Sequence, residues 1–278
     1  MARIAAVQPG AAVSASYPNA LRRALWTVAP AATPLLVVAC WEFATRSGGI
    51  SAFMLPPIGA VVGRLAADVT SGDFILNAGL TLYRTFLGFA IAAATGVTLG
   101  LLMARNRWAY WFFDPIVSIG LPMPKIAFLP VFILWFGLFD ASKITIIAVS
   151  AVFPVATATL AGLQGVEREL IWSAQSLGAR EKQIAWEILV PAALPQIITG
   201  LQVALPTALI VEIVAEMMMG GYGLGAAMLE ASRQLNSPDV FAGIVEIMAV
   251  GYGVVAGMAW VRRRLLVWHQ EDAHSMTV

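Results

Sequence analysis

Apolar positions along this chain fall into long blocks rather than stripes. Six blocks, at about 26–45, 78–104, 110–137, 143–164, 193–217 and 240–261, are joined by brief polar connectors. Each is near or above the roughly 20 residues an α-helix needs to cross the hydrocarbon core of a bilayer, which predicts six transmembrane helices. The second block carries Gly88, Gly96 and Gly100 at spacings of eight and four, a small-residue surface that permits close helix packing in lipid. The third is interrupted by Pro115, Pro122, Pro124 and Pro130, with Lys125 among them. A charge at a helix centre costs about 2.5–3.5 kcal/mol, and each Leu, Ile, Phe or Val offsets about 0.3–0.6. The apolar residues between Ile126 and Phe136 therefore balance Lys125. Broken backbone at membrane depth is tolerated only against protein or a water-filled cavity, so this span is expected to face the interior of an assembly. The stretch Ser51–Gly72 is too polar to span; Leu55-Pro56-Pro57 predicts a turn, and Ile58, Val61, Val62 and Leu65 a short amphipathic surface helix.

One polar interruption is long. From Gln164 to Val190, about 27 residues carry Glu167, Arg168, Glu169, Arg180, Glu181, Lys182 and Glu187 around Ser176-Leu177-Gly178-Ala179. Leu170, Ala174 and Leu177 fall at i, i+4 and i+7, one apolar stripe of a two-turn helix. Glu167 and Glu169 sit at its start, where the helix dipole favours negative charge. Gly178 follows, suited to a left-handed helix terminus because it has no Cβ. A second short helix at about 180–189 presents Ile184 and Ile188 and is expected to stop at Pro191. The pattern predicts a rigid elbow able to transmit force between a partner and the fourth and fifth spans.

Composition agrees with the blocks. The chain is 59% hydrophobic and 12% charged, against roughly 25% charged in soluble domains, which makes it an integral membrane protein. The net charge of +1 gives no reason to expect nucleic acid, and no Lys/Arg run suggests a phosphate-binding face. The single cysteine, Cys40, lies in the first block and is expected to be a buried small hydrophobe. That block, Ala24 to Ala44, is longer than a signal-peptide core and lacks a small-x-small cleavage site, so it is expected to be an uncleaved span. Placing Arg3, Arg22, Arg23, Arg105, Arg107, Arg168, Arg180, Lys182, Arg262, Arg263 and Arg264 on the inner face puts 11 of 17 basic residues inside. This predicts cytoplasmic tails at 1–25 and 266–278, a membrane domain at 26–265, and the 164–190 elbow in the cytoplasm.

No catalytic triad, zinc spacing or paired-carboxylate active site emerges, so neither a catalytic nor a metal site is expected. Gly220-Gly221-Tyr222-Gly223-Leu224-Gly225 follows no strand, and no Gly-Lys-Ser/Thr occurs, so it predicts a turn leaving the fifth span rather than a phosphate loop. Glu212 and Glu216, at i and i+4, and Glu246 are intramembrane acids, expected to pack inside a bundle or line a pathway without a basic or histidine partner chain. His269 and His274 read as solvated tail residues, and Met217-Met218-Met219 as adaptable packing. A secondary transporter or channel driven by an ion gradient is the rival class; such transporters often show an internal repeat, and none is evident here.

The motifs together resemble the permease subunit of bacterial binding-protein-dependent ATP-binding-cassette (ABC) importers. The family's Glu-Ala-Ala segment, glycine and Pro-x-x-x-Pro ending stand here as Trp172-Ser173-Ala174, Gly178, and Ile188-Leu189-Val190-Pro191-Ala192-Ala193-Leu194-Pro195 with Gly200-Leu201. Arg84 with Gly88-Phe89, Asp114-Pro115, Leu121-Pro122-Met123-Pro124-Lys125-Ile126-Ala127, Ile133-Leu134-Trp135-Phe136-Gly137, Ser142-Lys143-Ile144, Phe153-Pro154, Glu216-Met217 and Gly223-Leu224-Gly225 are similar to the nitrate, aliphatic-sulfonate and taurine branch. The resemblance covers about residues 50–265. It implies a type I importer permease fold in the bacterial inner membrane, with both termini cytoplasmic and two copies forming the pore. It further implies two cytoplasmic ATPases carrying ATP and Mg, an external solute-binding protein, and no cofactor on this chain. Glu169, Trp172, Ala174, Leu177, Gly178, Ala179 and Arg180 are the coupling residues the resemblance implies; Pro124, Lys125, Thr159, Glu212 and Glu216 are pathway candidates. Two departures stand out: Trp172-Ser173 replaces Glu-Ala, which predicts an apolar contact in place of a charged one, and Ala158-Thr159 replaces Asn-Thr.

Overall fold

The computed structural model describes residues 19–268, and their regular structure is entirely helical. The chain divides into two compact units at residue 58. In the first, helix α1 (Asn19–Arg46) contains the first expected span. Its described side chains begin at Ala32, and Leu35, Leu36, Val37, Val38 and Phe43 are exposed. Cys40 is exposed too, which corrects the expected burial: nothing within this unit packs over that face. The Trp41 indole donates to the Pro56 carbonyl at 2.9 Å, closing the loop that follows the helix.

The second unit opens with α2 (Ile58–Ser71), the expected amphipathic helix, longer than its apolar residues alone predicted. There follow α3 (Asp73–Arg105), α4 (Arg107–Gly120), a 3₁₀ turn (Lys125–Phe128), α5 (Leu129–Phe136), α6 (Asp140–Gln164) and α7 (Arg168–Ser176). The chain continues through α8 (Glu181–Gln183), a π turn (Ile184–Leu189), α9 (Val190–Met219), α10 (Leu224–Arg233) and α11 (Ser237–Leu265). Among the described residues, four continuous stretches are long and apolar enough to cross a membrane: Asp73–Arg105, Asp140–Gln164, Glu181–Met219 and Ser237–Leu265. The third expected span is a pair, Arg107–Gly120 with Lys125–Phe136, bent by 97° where Pro122 and Pro124 remove the amide donors a continuous helix would need. The count is therefore four, or five with the bent pair, against the six expected from sequence; the remaining block lies in α1.

The packing of α3 on α6 organises the second unit. Gly88 faces Ile147, Gly96 faces Val155 and Gly100 faces Thr159, a constant offset of 59 residues that only parallel helices produce. A Cβ at Gly88 would lie 2.6 Å from Ile147 Cγ2, so the glycines set how closely the backbones approach. Between them Ala92, Ile147, Ala151 and Val155 meet Ala204 and Ala208 of α9 in one core cluster. Helix α9 runs antiparallel to α6: Gly162 faces Gln196 and Ala193, and Gly200 faces Ala158 and Pro154. Helix α11 returns along α9 through Leu205, Leu209 and Val254, and Arg262 Nη1 donates to Gln202 Oε1 at 2.7 Å. The bundle has two distinct ends. At one, α6 connects to α9 through residues 164–190. At the other, α3 and α6 begin and α9 ends.

Candidate functional site

At the first end, α7 closes with both hydrogen bonds of a Schellman turn. Ala179 N–H donates to Ala174 O at 3.0 Å and Gly178 N–H to Gln175 O at 3.0 Å. Gly178 takes φ +85°, the left-handed conformation its sequence position predicted, with nothing within 4 Å of a built Cβ. The chain restarts at once: Arg180 N–H donates to Gln183 Oε1 at 2.9 Å, capping the next turn. Contrary to expectation, Pro191 does not stop this helix. Residues Glu181–Met219 form one apolar helical stretch. Pro191 falls within the first turn of α9, and the π turn before it widens the backbone where the proline ring would otherwise meet the Glu187 carbonyl. Whatever moves the elbow therefore moves α9.

The expected apolar stripe divides. Ala174 is buried with Ile184 and Ala185, while Leu170, Trp172 and Leu177 point outward. Leu177 is 88% exposed and Trp172 59%. Glu169 and Arg180 are also exposed and Ala179 is half-buried, so the elbow presents apolar side chains within a charged rim. A cleft of about 200 Å³ lies beneath it, lined by Leu101, Arg105, Ile171, Ala185 and Trp186. Because Gly178 has space but not the backbone freedom for a side chain, Gly178→Val is expected to destabilise the elbow by about 1–2 kcal/mol while Gly178→Asn costs far less. Thermal unfolding of the two purified variants checks this; equal midpoints would mean that the turn is not left-handed.

At the opposite end lies a buried ion cluster. The Arg84 guanidinium donates from Nε to Asp140 Oδ1 at 2.8 Å and from Nη1 to Glu216 Oε1 at 3.0 Å and Tyr222 O at 2.8 Å. Glu212 Oε1 is 3.6 Å from the same Nη1. Thr81 Oγ1 lies 2.8 and 3.0 Å from the two Glu216 oxygens, and Gly225 N–H donates to Glu216 Oε2 at 2.9 Å. Asn77 Oδ1 accepts from Gly223 N–H at 3.0 Å, and Lys143 Nζ donates to Gly220 O at 3.2 Å. The glycine run thus brings the Gly225 amide to a carboxylate of its own chain, while Leu224 N–H donates to Thr81 Oγ1 at 3.1 Å. A Cβ at Gly223 would collide with that carboxylate, and Gly223 sits at φ +134°.

This corrects the expectation that Glu212 and Glu216 have no basic partners; the partners come from helices far away in sequence. Both acids are fully buried; Glu216 ties α9 to α3 and to the 220–225 turn, and α6 joins through Asp140 on Arg84 and Lys143 on the Gly220 carbonyl. Thr159, another pathway candidate, is buried in the α3–α6 contact, its hydroxyl donating to Val155 O at 2.8 Å. Pro124 is exposed and Lys125 half-buried at the 97° bend. Met219 packs near Leu129, Phe132 and Ile146. His269 and His274 lie outside the described residues. No group of three metal-ligating side chains occurs among the described residues. Sequence reading missed Arg84, Lys143 and Asp140 as cluster members; the available signal was that opposite charges occupied separate apolar blocks.

Residues 96–267, well over half of the chain, match the family described as binding-protein-dependent transport system inner membrane component. The chain belongs to that family. It is the membrane permease subunit of an ABC importer, whose ATPase is a separate subunit, and the ion-gradient alternative is set aside. Relatives agree. The putative aliphatic sulfonates transport permease protein SsuC of Bacillus subtilis (strain 168) is 32% identical over 84% of this chain and 85% of its own length. The taurine transport system permease protein TauC of Escherichia coli (strain K12) is 33% identical over 85% and 88%. The formylaminopyrimidine transport permease protein ThiX of Halalkalibacterium halodurans is 28% identical over 91% and 100%. Among solved structures, the MetNI methionine ABC transporter in inward-facing conformations is 22% identical, with TM-score 0.59 over 66% of this chain and 92% of that one. An amino acid ABC transporter gives 17% and 0.61 over 72% and 97%. At those identities the likeness is one of fold, the type I importer permease.

Proposed function

We propose that this permease carries a small anion of the sulfonate or taurine class inward, driven by an ATPase that docks on residues 164–190. The observation that carries the docking reading is the elbow's outward apolar set, Leu170, Trp172 and Leu177, on a turn continuous with the helical stretch Glu181–Met219. Apolar side chains in a charged rim suit a protein interface better than open water. Glu169, Ala174, Gly178, Ala179 and Arg180 shape and edge that surface. The relatives named for sulfonates and taurine support the solute class.

In this reading the elbow end is cytoplasmic. Arg105, Arg107, Arg168, Arg180, Lys182 and Arg262–Arg264 all gather there, as the positive-inside bias requires, and α11 ends with them. The ion-cluster end is external, where a solute-binding protein delivers the solute. Two copies of the chain enclose the pore, each engaging one ATPase that holds ATP and Mg. Closure of the ATPase pair pushes the elbows, and α9 carries the displacement through its full length to the ion cluster.

Trp172→Ala and Leu177→Ala test the docking surface. Each is expected to weaken ATPase association by about 2 kcal/mol, the scale of an interface hot spot. Both side chains are exposed in the single chain, so the isolated permease should keep its thermal stability. Bound ATPase is measured by co-purification and titration. Unchanged affinity in both variants would remove residues 164–190 as the docking site.

A further inference from the structure

The basic side chains buried in the second unit among the described residues, Arg84 and Lys143, have carboxylates around them. Arg84 reaches Asp140, Glu212 and Glu216, and Lys143 shares the field of the same three acids. Lys125 differs. Among the described residues it forms no ion pair: its ammonium donates to Leu121 O at 2.7 Å and lies 5.4 Å from the centroid of the Phe153 ring.

Its depth follows from that ring. Phe153 is near the middle of α6 (Asp140–Gln164), about 20 Å along the helix at 1.5 Å per residue. Gly120, at the end of α4, packs on the same ring, where a Cβ would collide with it. Lys125 therefore sits near mid-membrane, at the 97° break, and Leu121, Pro122, Met123 and Pro124 beside it are exposed. Hydrocarbon accommodates neither an interrupted backbone nor an uncompensated cation, so this face borders protein or a water-filled route. A fixed cation there, with no ion-pair partner among the described residues, leaves room for a mobile anion.

We propose that Lys125 and the broken turn 121–124 form the point in the route where the solute's anionic oxygens are held, the solute being a small organosulfonate. This rests on the anion-importer reading above. The ammonium supplies the counter-charge, and the Phe153 ring with the exposed Leu121 and Met123 supplies an apolar wall for a short alkyl group. The competing role is purely structural, a lysine holding the carbonyl of Leu121, the residue that caps α4. Lys125→Gln separates the two, because it keeps a hydrogen-bond donor and removes the charge.

The test uses the complete importer in proteoliposomes, with ethanesulfonate presented at saturation by its binding protein. With Lys125→Gln, ethanesulfonate moved per ATP is expected to fall at least tenfold, while binding-protein-stimulated ATP hydrolysis stays within twofold of the parent. Lys125→Arg should stay within threefold in both. In a Lys125→Cys, Cys40→Ala chain, aminoethyl methanethiosulfonate should restore transport and the sulfonatoethyl reagent should not. Undiminished transport with Gln, equal rescue by both reagents, or parallel loss of hydrolysis and transport would each overturn the proposal. Parental protein that shows no ATP-dependent uptake of ethanesulfonate would overturn the sulfonate reading itself, and this proposal with it.

Discussion

Arg84→Met is expected to remove most of the folded permease from the membrane fraction. The guanidinium is the sole basic group paired with Glu216 and Glu212 among the described ion pairs, and both acids are fully buried. Breaking a buried pair by deleting one partner costs about 3–5 kcal/mol, because the other charge is left uncompensated. That is a large part of a typical domain's total stability of about 5–15 kcal/mol. Asp140, by contrast, has a carboxylate 49% exposed, so Asp140→Asn should cost less than about 1 kcal/mol. Adding Glu216→Gln to Arg84→Met should recover part of the loss, since the amide oxygen still accepts from Gly225 and no charge remains at that position. Thermal midpoints of the purified single and double variants in lipid give the coupling. A loss of under about 1 kcal/mol from Arg84→Met would mean that the cluster is hydrated and braces little.

Local features were legible in the sequence; long-range pairings were not. Apolar block length located α3, α6, α9 and α11 within a few residues, since crossing a bilayer is a one-dimensional requirement. The Schellman turn at Gly178 was legible because only glycine takes φ +85° without a Cβ penalty. Pro122 and Pro124 marked the break in the third span for a similar local reason. Arg84 and Glu216 lie 132 residues apart, and nothing periodic links them. The two glutamates at i and i+4 announced a shared helix face but not the cation facing them. Pro191 misled because a proline ends an α-helix only if the preceding turn keeps α geometry, and here that turn is a π turn. Leu170 and Leu177 mark a limit of a different kind. Their spacing indicated an apolar face, but periodicity does not say whether the chain covers that face itself or leaves it for a partner. Thr159 is a pathway candidate by family position, and the structure adds that it packs on Gly100 in the helix ladder.

That ladder carries the other large effect. Gly96→Leu is expected to destabilise the permease by about 3 kcal/mol or more, the upper range for overpacking. A Cβ at Gly96 would lie 2.8 Å from Val155 Cβ and 2.9 Å from the Val152 carbonyl oxygen. The valine could rotate its methyls, but the carbonyl belongs to the backbone of α6 and yields only if the helices separate. Separation at Gly96 would also loosen Gly88 on Ile147 and Gly100 on Thr159, because parallel helices in register open along a whole contact. Gly79 provides the control within the same helix: nothing lies within 4 Å of its built Cβ. Gly79→Ala should therefore stabilise α3 by about 0.4–1 kcal/mol through the unfolded chain alone. Gly96→Ala should fall between the two, its clash with α6 partly offset by the same helix gain. Val155→Ala removes the Cγ1 methyl that lies 2.9 Å from a Cβ at Gly96, so it should relieve Gly96→Ala in part and leave Gly79→Ala unchanged. Thermal unfolding of the purified single and double variants measures these effects. If Gly96→Leu and Gly79→Ala shift the midpoint alike, close approach at Gly96 does not hold α3 to α6.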